Sequence, residues 1–380
     1  MKKRILICSS VGNPHIKRLL KVLCEKETGI QVDFMSLSFV SEEEKNGIEP
    51  FVTNCFTFDD DSLATHSPFK RKFFQFRNII GLRKRVITNY DCIIVCAITL
   101  KYLLLFKKLC RNTKTLVLYP WGSEILKADK KTLIFLKYFY SKADKVVCIH
   151  NSRFERSIKK LLHVKNDKFV DIPYGSELID MHLVNKISKI EAKSILGLPG
   201  KYIITCAYNG YKTQNHIPII NELSRIKSLL PNNTHLVFPM TYGAEDEYID
   251  KVEEALKITG FDYTLIRDYM PLERLARLQE SSDVFIHMQK TDASSSSIKE
   301  FILAGATVFN GEWLSYPEIE EHGIPYITVN DISDLSVKIE KFISRQIDIN
   351  VTPEVLDDIC RFSYINFVKN WQRGIKEWTA

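Results

Sequence analysis

Short apolar runs rich in β-branched residues alternate along the chain with longer stretches whose apolar positions recur every three to four residues. In the first half the runs are "RILICSS", followed by a helical pattern over residues 16–26, then "QVDFMSL", "CIIVCAI", "TLVLYPWG", "KVVCIHN" with a helix from Ser152, and "KFVDIPYG". Apolar runs without alternation predict strands buried on both faces of a parallel sheet, and the interleaved amphipathic stretches predict its covering helices. A less apolar helical connector follows, "IDMHLVNKISKIEAKSILGLPG". The pattern then restarts with "YIITCAYNG", "HLVFPMTYG", "DYTLIRDYM", "DVFIHMQ", "ATVFNG" and "PYITVN". The expected fold is α/β. Two Rossmann-like doubly wound domains, 1–180 and 200–350, should face across a cleft with their ligand edges at the strand C-termini. The closing "FSYINFVKNWQRGIKEW" is amphipathic with no strand after it. Residues 355–380 are therefore expected to form a helix that packs back on the N-terminal domain.

Composition supports this frame. A chain of 380 residues suits about two domains. Apolar content of 45% and charged content of 26% exclude a largely disordered chain. No apolar run reaches the ~18–20 residues that cross a bilayer. The start, "MKKRILICSS", turns polar too soon for a secretion signal and reads as a buried strand. The nine cysteines lack metal-type spacing, and Cys92 and Cys96 fall in an apolar run, as small buried thiols do. This usage points to a reducing, cytoplasmic setting. Neither half carries G-x-G-x-x-G after its first strand, and no Walker A sequence is present, which argues against a dinucleotide dehydrogenase or a P-loop enzyme.

The net charge of +7 is unevenly spread, with no acidic residue from 62 to 90. There, Lys70, Arg71, Lys72, Arg77, Arg83, Lys84 and Arg85 interleave with Phe69, Phe73, Phe76 and Ile80 at helical spacing. Residues 69–85 can pack on the core with their lysines solvated. They can also lie on an anionic membrane surface, at the cytoplasmic face of the inner membrane, and the two readings are compatible. Aromatics at core spacing are poor stacking platforms, so nucleic acid is not an expected partner.

Candidate chemistry gathers at the ends of strands. The turn after the restarted strand, "NGYKTQNH", offers Gly210 and Lys212 just ahead of a helix, which suits an anion or simply a βα turn. Farther on, "TDASSSSIKEFILAG" predicts a helix starting near Ser297, with Ser297 and Glu300 at capping-box spacing. That box leaves Ser294, Ser295 and Ser296 unexplained, as walls of a diphosphate site or as linker. In the first domain, Gly12, Asn13 and His15 occupy the first βα turn; His15 can serve as a base or phosphate contact, or as an ordinary cap. Trp121, Gly122, Ser123 and Glu124 follow a strand, where Glu124 also suits the first turn of a helix. The D-x-D of residues 59–61 sits in a polar loop and reads as solvated, so no metal site and no cofactor are expected.

On these segments the chain resembles a GT-B sugar-nucleotide glycosyltransferase, and glycosyltransferase family 4 in particular. That family has E-x7-E after a strand of its second domain, then a small residue and glycine. Asp292 stands at the first position, Glu300 at the second, and "LAG" with Gly305 at the ending. The resemblance implies that Glu300 meets ribose hydroxyls, that the helix start at Ser294–Ser297 binds the diphosphate, and that Asp292 lies near the donor sugar. Of the family's Arg and Lys in the first turn, Lys212 is kept and Asn209 stands nearest the Arg. The aspartate and the serines depart from the family's glutamate and glycine-rich middle. Residues 200–330 are similar to bacterial N-acetylfucosaminyltransferases, which extend a lipid-linked sugar in surface polysaccharide synthesis; Asn215, His216, Tyr242, Gly243 and Tyr248 carry this likeness.

The resemblance also implies that Trp121–Glu124 faces the cleft with Glu124 near the attacking hydroxyl. Tyr174 and Gly175 would line the hinge side, and Tyr269 and Met270 the nucleobase side. The implied reaction moves a sugar from a nucleotide-diphosphate donor to a glycan or polyprenyl-diphosphate-linked acceptor. Lys212, the helix start and His216 would stabilise the leaving diphosphate without a metal ion. An inverting reaction needs a base, Glu124 or His15, and a retaining one does not; both stay open. The alternatives are a sugar-nucleotide epimerase of the same fold and a non-catalytic nucleotide-sugar-binding partner.

Overall fold

The computed structural model describes residues 2–11, 14–25, 29–59, 68–85, 88–292, 294–321, 323, 325–347 and 349–380. It divides into unit 1, residues 1–173 with 368–380, and unit 2, residues 174–367. Gly12, Asn13, most of the 59–61 loop and the side chains of His15, residues 68–73 and Arg85 lie outside the described residues.

Unit 1 is built on strands β1 (Lys3–Cys8), β2 (Ile30–Val40), β3 (Asn54–Asp59), β4 (Tyr90–Cys96), β5 (Thr113–Tyr119), β6 (Lys145–Cys148) and β7 (Phe169–Asp171). They form one parallel sheet in the order β3-β2-β1-β4-β5-β6-β7. Unit 2 holds β8 (Tyr202–Cys206), β9 (Thr234–Pro239), β10 (Asp262–Ile266), β11 (Val284–His287), β12 (Thr307–Gly311) and β13 (Ile327–Val329), parallel in the order β10-β9-β8-β11-β12-β13. Both orders are doubly wound, as expected. Strand β3 is the one that the hydrophobic pattern misses. It lies at the sheet edge, where "NCFTFD" needs no continuous apolar run.

The central strands supply each core. Ile5, Leu6, Ile7 and Cys8 are buried in β1, and Ile93, Ile94 and Val95 in β4. The helices Pro68–Arg85, Leu103–Arg111, Lys130–Lys142 and Arg153–Leu162 all contribute to a single hydrophobic cluster on one face of this sheet. All nine cysteines are free thiols; Cys92 and Cys96 are buried, and burial raises both pKa values.

The connector after Pro173 belongs to unit 2 as the helices Glu177–Val184 and Lys189–Ile195. The last helix, Tyr364–Trp378, starts in unit 2 and ends in unit 1. At its start, the amide of Tyr364 donates to Asp180 Oδ2 at 2.8 Å. At its end, the buried Trp371 packs edge-on against Tyr119 of β5, with ring centroids 5.1 Å apart, and against Trp378 at 5.8 Å. Thr115 Oγ1 donates to the Trp378 carbonyl at 2.9 Å. Replacing Trp371 with Ala is expected to cost about 3–5 kcal/mol in unit 1, read as a lower denaturant midpoint; an unchanged midpoint would mean that the helix end contributes no stability there.

Candidate active site

In a doubly wound sheet, ligands bind at the strand C-termini beside the point where the strand order reverses. In unit 2 that point lies between β8 and β11, and a cavity of about 270 Å³ sits there. Its walls include Ala207 and Tyr208 after β8, Tyr242 after β9, Tyr269 and Met270 after β10, and Gln279, Ser297 and Glu300 from two helices. Four of the residues expected at a donor site, Ser297, Glu300, Tyr269 and Met270, therefore share one cavity.

The serine stretch folds differently from the expected capping box. The helix runs Ser296–Ala304, and Ser295 caps it, its Oγ accepting from the Ile298 amide at 3.3 Å. Glu300 turns inward instead, because burial obliges its carboxylate to find donors. Ser176 Oγ donates to Glu300 Oε1 at 2.6 Å and Gln279 Nε2 donates to Oε2 at 2.9 Å. Ser294 Oγ donates to Glu318 Oε1 at 3.0 Å, and Ser295 Oγ lies 3.3 Å from His287 Nε2. Ser296 and Ser297 take the first helical positions, whose amides have no intrahelical acceptor. Asp292 accepts from Tyr316 Oη at 3.1 Å and lies 3.9 Å from His287 Nε2, outside the cavity wall.

The turn after β8 is held by its own side chains. Asn209 Oδ1 accepts from the Tyr211 amide at 3.0 Å, and the Gly210 amide donates to the Tyr242 carbonyl at 2.8 Å. A Cβ at Gly210 would lie 2.5 Å from Ala244 Cβ, so the close approach of the two loops requires glycine. His216 is fully buried: Nε2 donates to the Asn209 carbonyl at 2.9 Å, and Nδ1 accepts from Tyr248 Oη at 3.2 Å. Burial pulls its pKa down to about 4. The ring is neutral and occupied on both sides, so it braces the turn and does not supply the charge expected of it. Asn209 likewise serves the turn. Lys212 is exposed, with Nζ 5.5 Å from the centroid of the Tyr248 ring, and does not line the cavity.

In unit 1 the strand order reverses between β1 and β4, and a cavity of about 500 Å³ lies at their ends, lined by Ser9, Ser10, Ala97, Lys101, Trp121 and Glu124 among others. Glu124 sits in the one-turn helix Ser123–Leu126, entered through Gly122 at φ 112°. Its Oε1 accepts from the Trp121 amide at 2.8 Å, and its Oε2 has no partner among the described residues. Burial raises its pKa, against the lowering by nearby backbone N–H groups. Ala97 and Ala207 follow the inner strands β4 and β8 with φ of 48° and 62°, a left-handed conformation that costs an alanine energy, and each lines its unit's cavity. Tyr174 and Gly175 line neither cavity; a Cβ on Gly175 would lie 2.5 Å from Phe367.

Ser176, Gln279, Tyr208 and Tyr242 were not expected as site residues. Tyr242 stood in a quoted motif, whereas Gln279 sits in the last turn of its helix and has no local signal.

No family model and no curated protein matches the sequence. Solved structures do match over nearly the whole chain. Sucrose-phosphate synthase from Thermosynechococcus elongatus is similar at 15% identity and a TM-score of 0.72, covering 99% of each chain. A glycosyltransferase from Rickettsia africae ESF-5 is similar at 14% identity and 0.71, covering 99% of this chain and 98% of the other. Anabaena HepE in complex with UDP is similar at 14% identity and 0.68, covering 99% and 100%. At such identities the likeness establishes the fold, which is GT-B.

Two outcomes are expected. Gly210→Ala should destabilise unit 2 by about 1–3 kcal/mol through overpacking, measured by thermal unfolding; an unchanged Tm would show that the loops yield. A carbon-detected titration of Glu124 should give a midpoint above the ordinary glutamate value of about 4.3, and a midpoint at or below it would remove the case for a base.

Proposed function

We propose that this chain is a glycosyltransferase that moves a sugar from a nucleoside-diphosphate donor, bound in unit 2, to a hydroxyl of an acceptor bound in unit 1. The observation that carries this reading is the convergence of Glu300, the helix start at Ser297 and the Tyr269–Met270 segment on one cavity of a GT-B fold. A nucleoside diphosphate has three parts, and each has a partner there. The carboxylate suits ribose hydroxyls. The amides at a helix N-terminus suit a diphosphate. Tyr242, Tyr269 and Met270 suit a base. The UDP held by Anabaena HepE supports a ligand of this class.

As the glycosidic bond to the donor breaks, negative charge grows on the diphosphate. The helix start and Lys212 are the groups that oppose it in this reading. The acceptor hydroxyl must lose a proton. Glu124, with its raised pKa and free Oε2, is suited to take it if the reaction inverts. The partly strained, partly apolar cavity beside Glu124 supports a second substrate, which an epimerase does not need.

We infer further that the acceptor is lipid-linked, in bacterial surface polysaccharide synthesis, and that unit 1 works on the cytoplasmic face of an anionic membrane. The support is a surface and a charge count. In the helix Pro68–Arg85, Ile79 and Leu82 fill the core, while Phe76 is 50% exposed and Ile80 is exposed beside Arg77, Arg83 and Lys84. The expected stripe is therefore turned outward at these two positions. On the same helical layer Leu103 and Tyr138 are exposed and Ile134 is 66% exposed. Residues 68–142 carry 17 Lys and Arg against 3 Asp and Glu, within a chain of net charge +7, so the remainder is net acidic. Apolar side chains among lysines suit a bilayer surface. No helix among the described residues is long and apolar enough to cross a membrane.

The donor assignment is tested by a thermal-shift and calorimetric screen of UDP-, GDP- and dTDP-linked sugars. One class should bind, and Glu300→Gln and Lys212→Ala should each weaken it about tenfold with both variants still folded, the loss of a hydrogen bond or charge contact to an ionised group; unchanged affinities would sink the assignment. For the membrane reading, the protein should co-sediment with phosphatidylglycerol vesicles and not with phosphatidylcholine vesicles. Ile134→Asp combined with Lys130→Glu and Lys131→Glu should abolish this, and equal sedimentation of the variant would count against it.

A further inference from the structure

We propose that His182 and Gln279 form a positioning relay that aims the carboxylate of Glu300 at the ribose of a bound nucleotide, with both ring nitrogens of His182 protonated. The inference rests on the donor-site reading above and extends it to residues that line no part of the acceptor cavity and carry no motif.

The relay is an unbroken chain of buried polar groups across three helices of unit 2. It starts at Glu300, in Ser296–Ala304, whose two oxygens accept from Ser176 Oγ at 2.6 Å and Gln279 Nε2 at 2.9 Å. Gln279, in Leu272–Ser281, presents its Oε1 to His182 Nε2 at 2.7 Å. His182, in Glu177–Val184, has its Nδ1 3.1 Å from Glu280 Oε1. Glu280 Oε2 accepts from Arg277 Nη1 at 2.5 Å, and the same nitrogen donates to the Asn185 carbonyl at 3.1 Å. Ser176, His182, Gln279, Glu280 and Glu300 are all buried.

The partners fix every proton in this chain. Glu300 is a carboxylate that only accepts, so the amide group of Gln279 must turn its NH2 toward it and its oxygen toward His182. That oxygen only accepts, so His182 Nε2 must carry hydrogen. Glu280 also only accepts, so Nδ1 must carry hydrogen as well. The ring is then an imidazolium, and the four charges of Arg277, Glu280, His182 and Glu300 sum to zero inside the unit. A buried network in which each member is satisfied holds its geometry; one with a missing member does not.

The consequence falls on Glu300. A glutamate side chain has three rotatable bonds, and two donors placed on opposite oxygens stop the carboxylate from turning. A carboxylate accepts about four hydrogen bonds. Two are used inward, and the remaining lone pairs are available on the cavity side, where adjacent ribose hydroxyls would meet them. Gln279 itself reaches the cavity wall, so the relay begins at the ligand and ends at Arg277.

The test uses calorimetry of the full chain with UDP, GDP, dTDP and inorganic diphosphate. Gln279→Met, which keeps the volume and removes both hydrogen bonds, and His182→Gln, which can satisfy only one neighbour, should each weaken the best-binding nucleotide about tenfold, the loss of one hydrogen bond to a charged group. Affinity for inorganic diphosphate, which has no ribose, should stay at the wild-type level. Equal loss of both ligands would mark the relay as merely structural and overturn the proposal. Wild-type affinity in both variants, with Glu300→Gln still impaired, would overturn the relay and leave the donor site standing. If wild type binds none of the nucleotides, the donor-site reading fails and takes the relay with it. Should the variants not fold, nitrogen-15 spectra of the wild-type protein decide: both His182 ring nitrogens should show directly bonded protons, and a singly protonated ring would overturn the proposal.

Discussion

Parallel neighbours cannot be joined by a tight hairpin, so each crossover leaves a loop between strand and helix at the C-terminal edge of the sheet. Where the winding changes direction, neighbouring loops diverge and the edge opens. In unit 1 that happens between β1 and β4, and in unit 2 between β8 and β11. Each unit's cavity lies at its own opening. The two alanines in left-handed conformation, Ala97 and Ala207, mark where the chain leaves the inner strand of each opening. Such conformations persist only where the surroundings over-determine them, here by hydrogen bonds at 3.0 Å that the Ala97 and Ala207 amides donate to the carbonyls of Tyr119 and Ile286 on the adjacent strand.

Once the opening exists, the chemistry at its rim is governed by the cost of burying polar groups. Glu300 is nearly out of water and survives because two donors hold it. His216 reaches the same balance by another route: it is neutral, donating on one side and accepting on the other. Glu124 differs from these two. One oxygen accepts from the Trp121 amide, the other has no partner among the described residues, and burial raises its pKa. A carboxyl left incomplete beside a cavity is a group with chemistry to spare, whereas the completed ones set geometry.

The same distinction separates the serines. Before folding they are four equivalent hydroxyls. In the structure Ser294 is spent on Glu318 and Ser295 on the helix cap, while Ser297 faces the cavity. Charge follows a related logic on a larger scale. Arg77, Arg83, Lys84, Lys107, Lys130, Lys131 and Lys137 are dispersed in the sequence, and the side-by-side packing of their helices gathers them with Phe76, Leu103, Ile134 and Tyr138 on one layer.

The hydrophobic pattern alone determined most of the architecture. Short apolar, β-branched runs alternating with amphipathic stretches read as strands of a parallel sheet and its covering helices, so twelve of the strands, their parallel pairing and the doubly wound class are legible; β3, at a sheet edge, carries no continuous apolar run. Local chemistry also pointed to the right segments, since glycine turns and serine-rich helix starts announce themselves within a few residues. Tertiary structure decided which way each side chain faces. The S-x-x-E spacing of Ser297 and Glu300 was compatible with a capping box, but the carboxylate turned to Ser176 and Gln279, 124 and 21 residues away. His216 was a plausible cation until its burial made it neutral. Lys299, between two site residues, is fully buried, and no local rule foretells that for a lysine. The reason is the same in each case. Secondary structure depends on neighbours in sequence, whereas the state of a buried polar group depends on donors and acceptors that only the folded chain brings within 3 Å.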